Sequence, residues 1–417
     1  MVNEQQIFEC FSMKRFGFFA AMLLTAFVAE AQQAIFERHD TRSPQFNDDG
    51  TVTLRIKAPE AKKVTVVGDC IERGHGELTQ QDGVWSYTTA QLPAELYSYR
   101  FYVDGVETQD AGNIERSRDV RSFMSTFIVS KEEGDKGWLY QNHNVEHGDV
   151  AHVWYDSPQL GLKRRMSIYT PPGYDKGKAY PVLYLLHGAG GDEEAWLTLG
   201  RTAQILDNLI ALGKAKPMIV VMPNGNASDD ASPLETGLNA SPISSPKGKD
   251  SQVQSPRSFR KGAGGKAATY EESFSDVMNY VKKHYKTKKG ADNTAICGLS
   301  MGGYHTFRIS MLNPGTFGYM GLFSAAIRLG GRNQPKSVEQ QFADNPEATA
   351  QMKALFDAKP HLYWIAIGKE DFLFQQNVEL RRYLDKMQYP YEYYENGGGH
   401  IWRNWRIYLS MFAQRLF

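Results

Sequence analysis

AICGLSMGGY, residues 295–304, is the run on which the fold turns. Thr294, Ala295, Ile296 and Cys297 are small, β-branched or apolar, as suits a strand covered on both faces. Gly298 and Gly302 stand two residues either side of Ser300, giving G-x-S-x-G. In a nucleophile elbow the serine occupies a strained strand-to-helix turn, where side chains at the flanking positions would strike neighbouring backbone. The turn pushes the serine oxygen out of the sheet. It also puts the Met301 amide at a helix start, where a developing oxyanion is stabilised. A Gly/Ser turn that merely joins two elements has the same composition, so the rest of the chain has to decide.

Serine-based acyl chemistry needs a base, a carboxylate that orients the base, and donors for the oxyanion. Each has a candidate, in the chain order serine, acid, histidine that α/β-hydrolases use. His400 follows Gly397-Gly398-Gly399, directly after a strand predicted over residues 391–394. Asp371 and Glu370 both follow a strand predicted over 361–367, and either could orient the histidine or simply cap the next helix. An apolar run over 181–186 ends in His187-Gly188-Ala189-Gly190-Gly191, and the Ala189 amide would be the second oxyanion donor. That glycine stretch lacks G-K-[ST] and G-x-G-x-x-G, which argues against a nucleotide loop. No histidine pair has the H-E-x-x-H or similar metal spacing, so neither metal nor cofactor is expected.

A chain of 417 residues is long for one core, and two domains are the first expectation. Lys+Arg and Asp+Glu are both 47, so no whole-chain field favours nucleic acid or an anionic membrane. Lys14 and Arg15 precede an apolar run over 16–28 and Ala29-Glu30-Ala31, the pattern of an export leader with its cleavage site. The run is too short for a comfortable membrane span. Met13 reads as the true start, with a mature chain from about Gln32 acting in a secreted or periplasmic setting. Cys10 would leave with the leader, and Cys70 and Cys297 fall in different domains, so no disulfide framework is expected.

Residues 32–130 read as an all-β unit: Val52, Leu54 and Ile56 alternate with polar neighbours, as do Tyr97, Tyr99, Phe101 and Val103 up to a turn at Asp104-Gly105. Residues 131–146 are charged and aperiodic, as a linker would be, with Trp138 and Tyr140 able to pin it down. From 147 to 417 strands and helices alternate, the pattern of a sheet with helices on both faces. Residues 224–268 break that pattern with four prolines and a basic run from Lys247 to Lys266. An insertion this long after a strand end is expected to be either a mobile loop bordering the active site or plain disorder.

Two resemblances join these readings. "DGTVTLRIKAPEAKKVTVVGD", "DGVWSYTTAQLPAELYSYRFYVDG" and "STFIVS" resemble the early-set sandwich of carbohydrate-binding module family forty-eight. "YTPPGYDKGKAYPVLYLLHGAGGDEEAW", "GLSMGGYHTFRI", "YWIAIGKEDFLF" and "YYENGGGHIWRNWRIYL" resemble carbohydrate esterase family one, which includes feruloyl, acetylxylan and enterochelin esterases and the mycolyltransferases. The second resemblance implies Ser300 as nucleophile, Asp371 as acid, His400 as base, and the Met301 and Ala189 amides as the oxyanion hole. Together they imply an α/β-hydrolase domain with a mostly parallel sheet, preceded by a small immunoglobulin-like sandwich. The implied activity is hydrolysis of feruloyl, or else acetyl, esters on plant cell-wall polysaccharide such as arabinoxylan. Trp196 is a candidate wall for an aromatic acyl group. The other readings are a non-catalytic glycan-binding protein, an acyltransferase, and an enterochelin-type esterase on a small molecule. A histidine base must be neutral, so activity should fall as His400 is protonated at acid pH.

Overall fold

Ten strands lie between residues 45 and 129: β1 (Gln45–Phe46), β2 (Val52–Lys57), β3 (Val64–Gly68), β4 (His75–Glu77), β5 (Thr79–Gln81), β6 (Val84–Thr88), β7 (Glu95–Val103), β8 (Val106–Thr108), β9 (Arg116–Asp119) and β10 (Ser122–Val129). The structure, a computed structural model, describes residues 41–120, 122–233, 268–329 and 336–417. The expected leader over 1–31 lies outside the described residues. Two sheets, ordered β1-β2-β6-β5 and β4-β3-β7-β10-β9, close on one core of Val52, Leu54, Val64, Val66, Tyr97, Tyr99, Phe101 and Phe127. Alternation does this: every second residue of β2 and β7 points between the sheets. Asp104 and Gly105, at φ 48° and 85°, make the tight β7–β8 hairpin that this dipeptide favours.

The second unit is one eight-stranded sheet in the order β11-β12-β14-β13-β15-β16-β17-β18. Its strands are β11 (Asp149–Ser157), β12 (Leu162–Thr170), β13 (Val182–Leu186), β14 (Ile219–Pro223), β15 (Thr294–Leu299), β16 (Tyr319–Phe323), β17 (Leu362–Gly368) and β18 (Glu392–Asn396). β11 and β12 are antiparallel to their neighbours and all the other pairings are parallel, so the α/β-hydrolase expectation holds. Successive residues serve opposite faces. Tyr184 and Leu186 join the core under helices Phe274–His284 and Met301–Leu312, while Leu183 and Leu185 join the core under Thr202–Ala211 and Trp402–Ala413.

Two local features go beyond the sequence reading. β12 pairs along its whole length with β11, an edge strand whose outer face is mostly exposed. Of the insertion at 224–268, residues 234–267 lie outside the described residues. The first ten are packed rather than structureless, because Arg164 donates to the carbonyls of Asn224, Asn226 and Asp229. Glu193 accepts from Asn224 Nδ2 at 3.0 Å and from the Ser232 amide at 2.8 Å.

The segment after β10 is held closely. Asp135 caps the short helix Lys136–Leu139, and Asn208 Nδ2 donates to the carbonyls of Trp138, Leu139 and Gln141. Beside it, Glu95 of β7 pairs with Arg406 of the last helix at 3.0 Å in full burial. This side of the sandwich therefore lies against the loops at the carboxyl ends of the parallel strands.

Candidate active site

Ser300 leaves β15 at φ 55° and ψ −111° and opens the helix Met301–Leu312. A non-glycine residue here is strained, and the neighbours hold it: its amide donates to Phe323 O at 2.9 Å and its carbonyl accepts from the Ala326 amide at 3.1 Å. A Cβ on Gly298 would lie 2.5 Å from Gly302 O, and one on Gly302 would lie 2.3 Å from Leu186 O. Helix and strands approach too closely for any side chain, which is why both positions are glycine. Met301 is the first residue of the helix, and its N–H has no carbonyl one turn back to bond.

The loop after β13 faces this helix start. Gly188 and Ser300 are close enough that a Cβ on Gly188 would come 3.4 Å from the serine Cβ. Gly191 N–H closes a tight turn on Gly188 O at 3.1 Å, leaving Ala189 exposed at its crest. The buried His187 supports the turn from below. Its Nε2 accepts from the Gly225 amide at 2.7 Å, so the proton sits on Nδ1, which donates to Gly188 O at 2.8 Å. Burial pushes this imidazole down to about 4.

His400 and Asp371 come together from the turns after β18 and β17. His400 Nδ1 lies 2.9 and 3.0 Å from the two carboxylate oxygens of Asp371, which is 4% exposed. Asp371 Oδ1 also accepts from the Leu373 amide at 2.8 Å. Glu370, the rival acid, points to solvent. The His400 ring sits between Phe372 and Trp405, with centroids 4.5 and 4.9 Å away.

Ser300, His400, Gly188 and Ala189 line one cleft of 520 Å³. Its apolar wall is Phe372, Trp402 and Trp405, and its far rim comes from the sandwich: Asp69, Ser98, Arg118, Asp119, Val120 and Met124. Trp196, the expected acyl-pocket wall, is corrected to a core residue. It is 1% exposed, donates Nε1–H to Leu186 O at 3.0 Å, and packs edge-on against Phe323 and Trp402. Trp402 and Trp405 stand in a motif singled out by sequence, whereas nothing local marks the sandwich residues: Arg118 meets Asp192 74 positions on, and Asp69 meets Arg403 334 positions on. Among the described residues no group of three or more His, Cys, Asp or Glu is placed to hold a metal ion.

At this level the molecule has the α/β-hydrolase fold. The chain belongs to the esterase family whose model, described as "Putative esterase", matches residues 157–415. It is 32% identical over 321 residues to an endo-1,4-beta-xylanase/feruloyl esterase of Xylanibacter ruminicola, covering 73% of this chain and 40% of that protein. It is 25% identical over 348 residues to an esterase of Mycobacterium tuberculosis, covering 74% of this chain and 66% of that one. The chain thus spans less than two thirds of the length of these curated relatives. The enterobactin esterase of Shigella flexneri shares the fold across both units, with a TM-score of 0.60 and 16% identity over 89% of this chain and 94% of the other.

Proposed function

We propose that the protein is a secreted esterase that hydrolyses feruloyl esters, with acetyl esters second, on plant cell-wall polysaccharide such as arabinoxylan. Ser300 is the nucleophile, His400 the base and Asp371 the acid, and the Met301 and Ala189 amides bind the oxyanion. The observation that carries this reading is the His400–Asp371 contact at 2.9 Å on the wall of the cleft that Ser300 lines.

A carboxylate accepts only, so Asp371 takes the Nδ1 proton of His400 and leaves Nε2 as a lone pair for the serine hydroxyl. As Ser300 Oγ attacks the ester carbonyl, its proton passes to Nε2, and the oxyanion meets the two amides. The imidazolium returns the proton to the departing sugar oxygen. Water then attacks the acyl-enzyme with His400 again as base, which releases the free acid. Phe372, 75% exposed beside His400, together with Trp402 and Trp405, offers a flat apolar surface suited to a ferulate ring. The name borne by the Xylanibacter ruminicola relative, pairing xylanase with feruloyl esterase, supports the same substrate class. An export leader over 1–31 and an early-set sandwich of the glycan-binding type belong to this reading.

The test is a panel of methyl ferulate, aryl acetate and feruloylated and acetylated xylans. Ferulate release is expected, falling about 10⁴-fold or more in kcat in Ser300→Ala. Asp371→Asn should lose a comparable factor while Glu370→Gln stays near wild type. Undiminished turnover by Ser300→Ala would overturn the mechanism, and release of acetate alone would overturn the feruloyl assignment.

A further inference from the structure

The tip of the β9–β10 hairpin reaches across from the sandwich onto the turn that carries Ala189. Arg118 Nη2 donates to Asp192 Oδ2 and, at 3.2 Å, to Ser232 Oγ, while its Nη1 donates to Val120 O at 2.9 Å. Asp192 is 3% exposed and Arg118 is 14% exposed, so the pair is largely withdrawn from water. One guanidinium therefore ties its own hairpin tip to the end of the 188–192 turn and to the chain leaving β14.

The backbone around it points the same way. Val120 adopts φ 53°, a left-handed conformation that a β-branched residue avoids. Its side chain rests on Gly190, where a Cβ would lie 2.7 Å from Val120 Cγ1, and Gly190 is itself left-handed at φ 79°. A strained valine of one unit is pressed against a left-handed glycine of the other beside the turn, and strain of this kind at a valine persists only where the surroundings impose it. Asp192 Oδ1 also accepts from the Glu194 amide at 3.1 Å, which passes the restraint into the next helix.

We infer that Arg118 of the sandwich is a positioning residue for catalysis, holding the 188–192 turn so that the Ala189 amide faces the oxyanion. The inference rests on the reading of Ser300 and Ala189 given above. Arg118 lines the cleft, but three of its five N–H groups, including both on Nη2, are committed to protein acceptors, and its effect runs through the turn these hold. Oxyanion donors act by preorganisation, and a donor whose support is loosened loses much of its value in the transition state and little in the ground state.

The test compares Arg118→Met, Asp192→Asn and their double variant in the full-length protein. Substrates are p-nitrophenyl acetate and methyl ferulate, with an arylboronate that adds to Ser300 as a tetrahedral probe. Each single variant should lose about 10- to 100-fold in kcat on both esters, with KM within about threefold. Boronate affinity should fall in step with kcat. The double variant should lose no more than about twofold beyond either single one, since both break one clamp. Wild-type kcat and boronate affinity in Arg118→Met would overturn the inference. So would a rise in KM confined to methyl ferulate, which would make Arg118 a substrate contact. If Arg118→Met does not fold, Arg118→Lys decides, because it keeps the charge but loses the fork: an intermediate kcat supports the clamp and a wild-type kcat overturns it. Ser300→Ala keeps the two failures apart. Activity there overturns the reading of the serine, whereas an inactive Ser300→Ala beside a fully active Arg118→Met overturns the clamp alone.

Discussion

Gly225 donates its N–H to His187 Nε2, and that one bond settles the state of the imidazole, because a protonated ring would point a second donor at the amide. Burial lowers its proton affinity to about 4, outweighing the Gly188 carbonyl and Asp192, which act the other way, while His305 and Arg164 reinforce the lowering. The folded state therefore binds fewer protons than the unfolded one below pH 6.5, so stability is complete above that value and is lost as pH falls towards 4. Between pH 7 and pH 5 this residue should contribute a loss of about 2 kcal/mol. Urea unfolding at the two values is the check. The wild type should weaken by that amount more than His187→Asn, which is less stable at pH 7 but cannot take up the proton. An unchanged slope in the variant would mean that the ring is solvated in the folded state.

Elements were legible in the sequence wherever the backbone itself limits the choice of residue. The elbow is one case: Gly298 and Gly302 are dictated by approaches of 2.5 and 2.3 Å, so the motif announces its geometry. Gly302→Ala should push the helix Met301–Leu312 away from β13, cost roughly 1–3 kcal/mol as an overpacked contact, and cut kcat by about 100-fold through the displaced Met301 amide. Gly397→Ala is the control, since no atom lies within 4 Å of its Cβ position, and it should stay within about twofold of wild type. Equal loss in both variants, measured as kcat and melting temperature, would refute the account. The central strands were legible as buried apolar runs bounded by glycine and proline. β11 was not, because an edge strand with a wet outer face carries too weak a pattern. The choice between Asp371 and Glu370 was not legible from the residues either. Both acids follow the same strand, and only the path of the turn after β17 sends one to His400 and the other to solvent. Trp196 misled for a related reason: a tryptophan near a glycine loop can face the cleft or the core, and its indole N–H finds Leu186 O inside.

Across the whole molecule the cleft takes one rim from the sandwich, and a fully buried charge pair is one of the ties that seat it. Arg406 donates through Nη2 to Glu95 at 3.0 Å and to Leu96 O at 2.9 Å, and through Nη1 to Leu199 O at 2.9 Å. Glu95 is 2% exposed and Arg406 is 1% exposed, and neither residue could be matched to the other from sequence positions 311 apart. Burial raises the proton affinity of Glu95 and the guanidinium opposes it. Removing the arginine alone strands a carboxylate in a dry interface, at a cost of about 3–5 kcal/mol. Arg406→Met should therefore lower the melting temperature and split unfolding into two calorimetric transitions, the sandwich parting from the hydrolase unit before the latter melts. Without its partner Glu95 is neutralised more readily in the folded state. The deficit against wild type should thus be greatest near neutral pH and shrink as pH falls towards the unfolded-state carboxyl value. Glu95→Gln with Arg406→Met should recover part of the loss, because no charge is left unpaired. A single unshifted transition in Arg406→Met at pH 7 would show that other contacts hold the sandwich over the cleft.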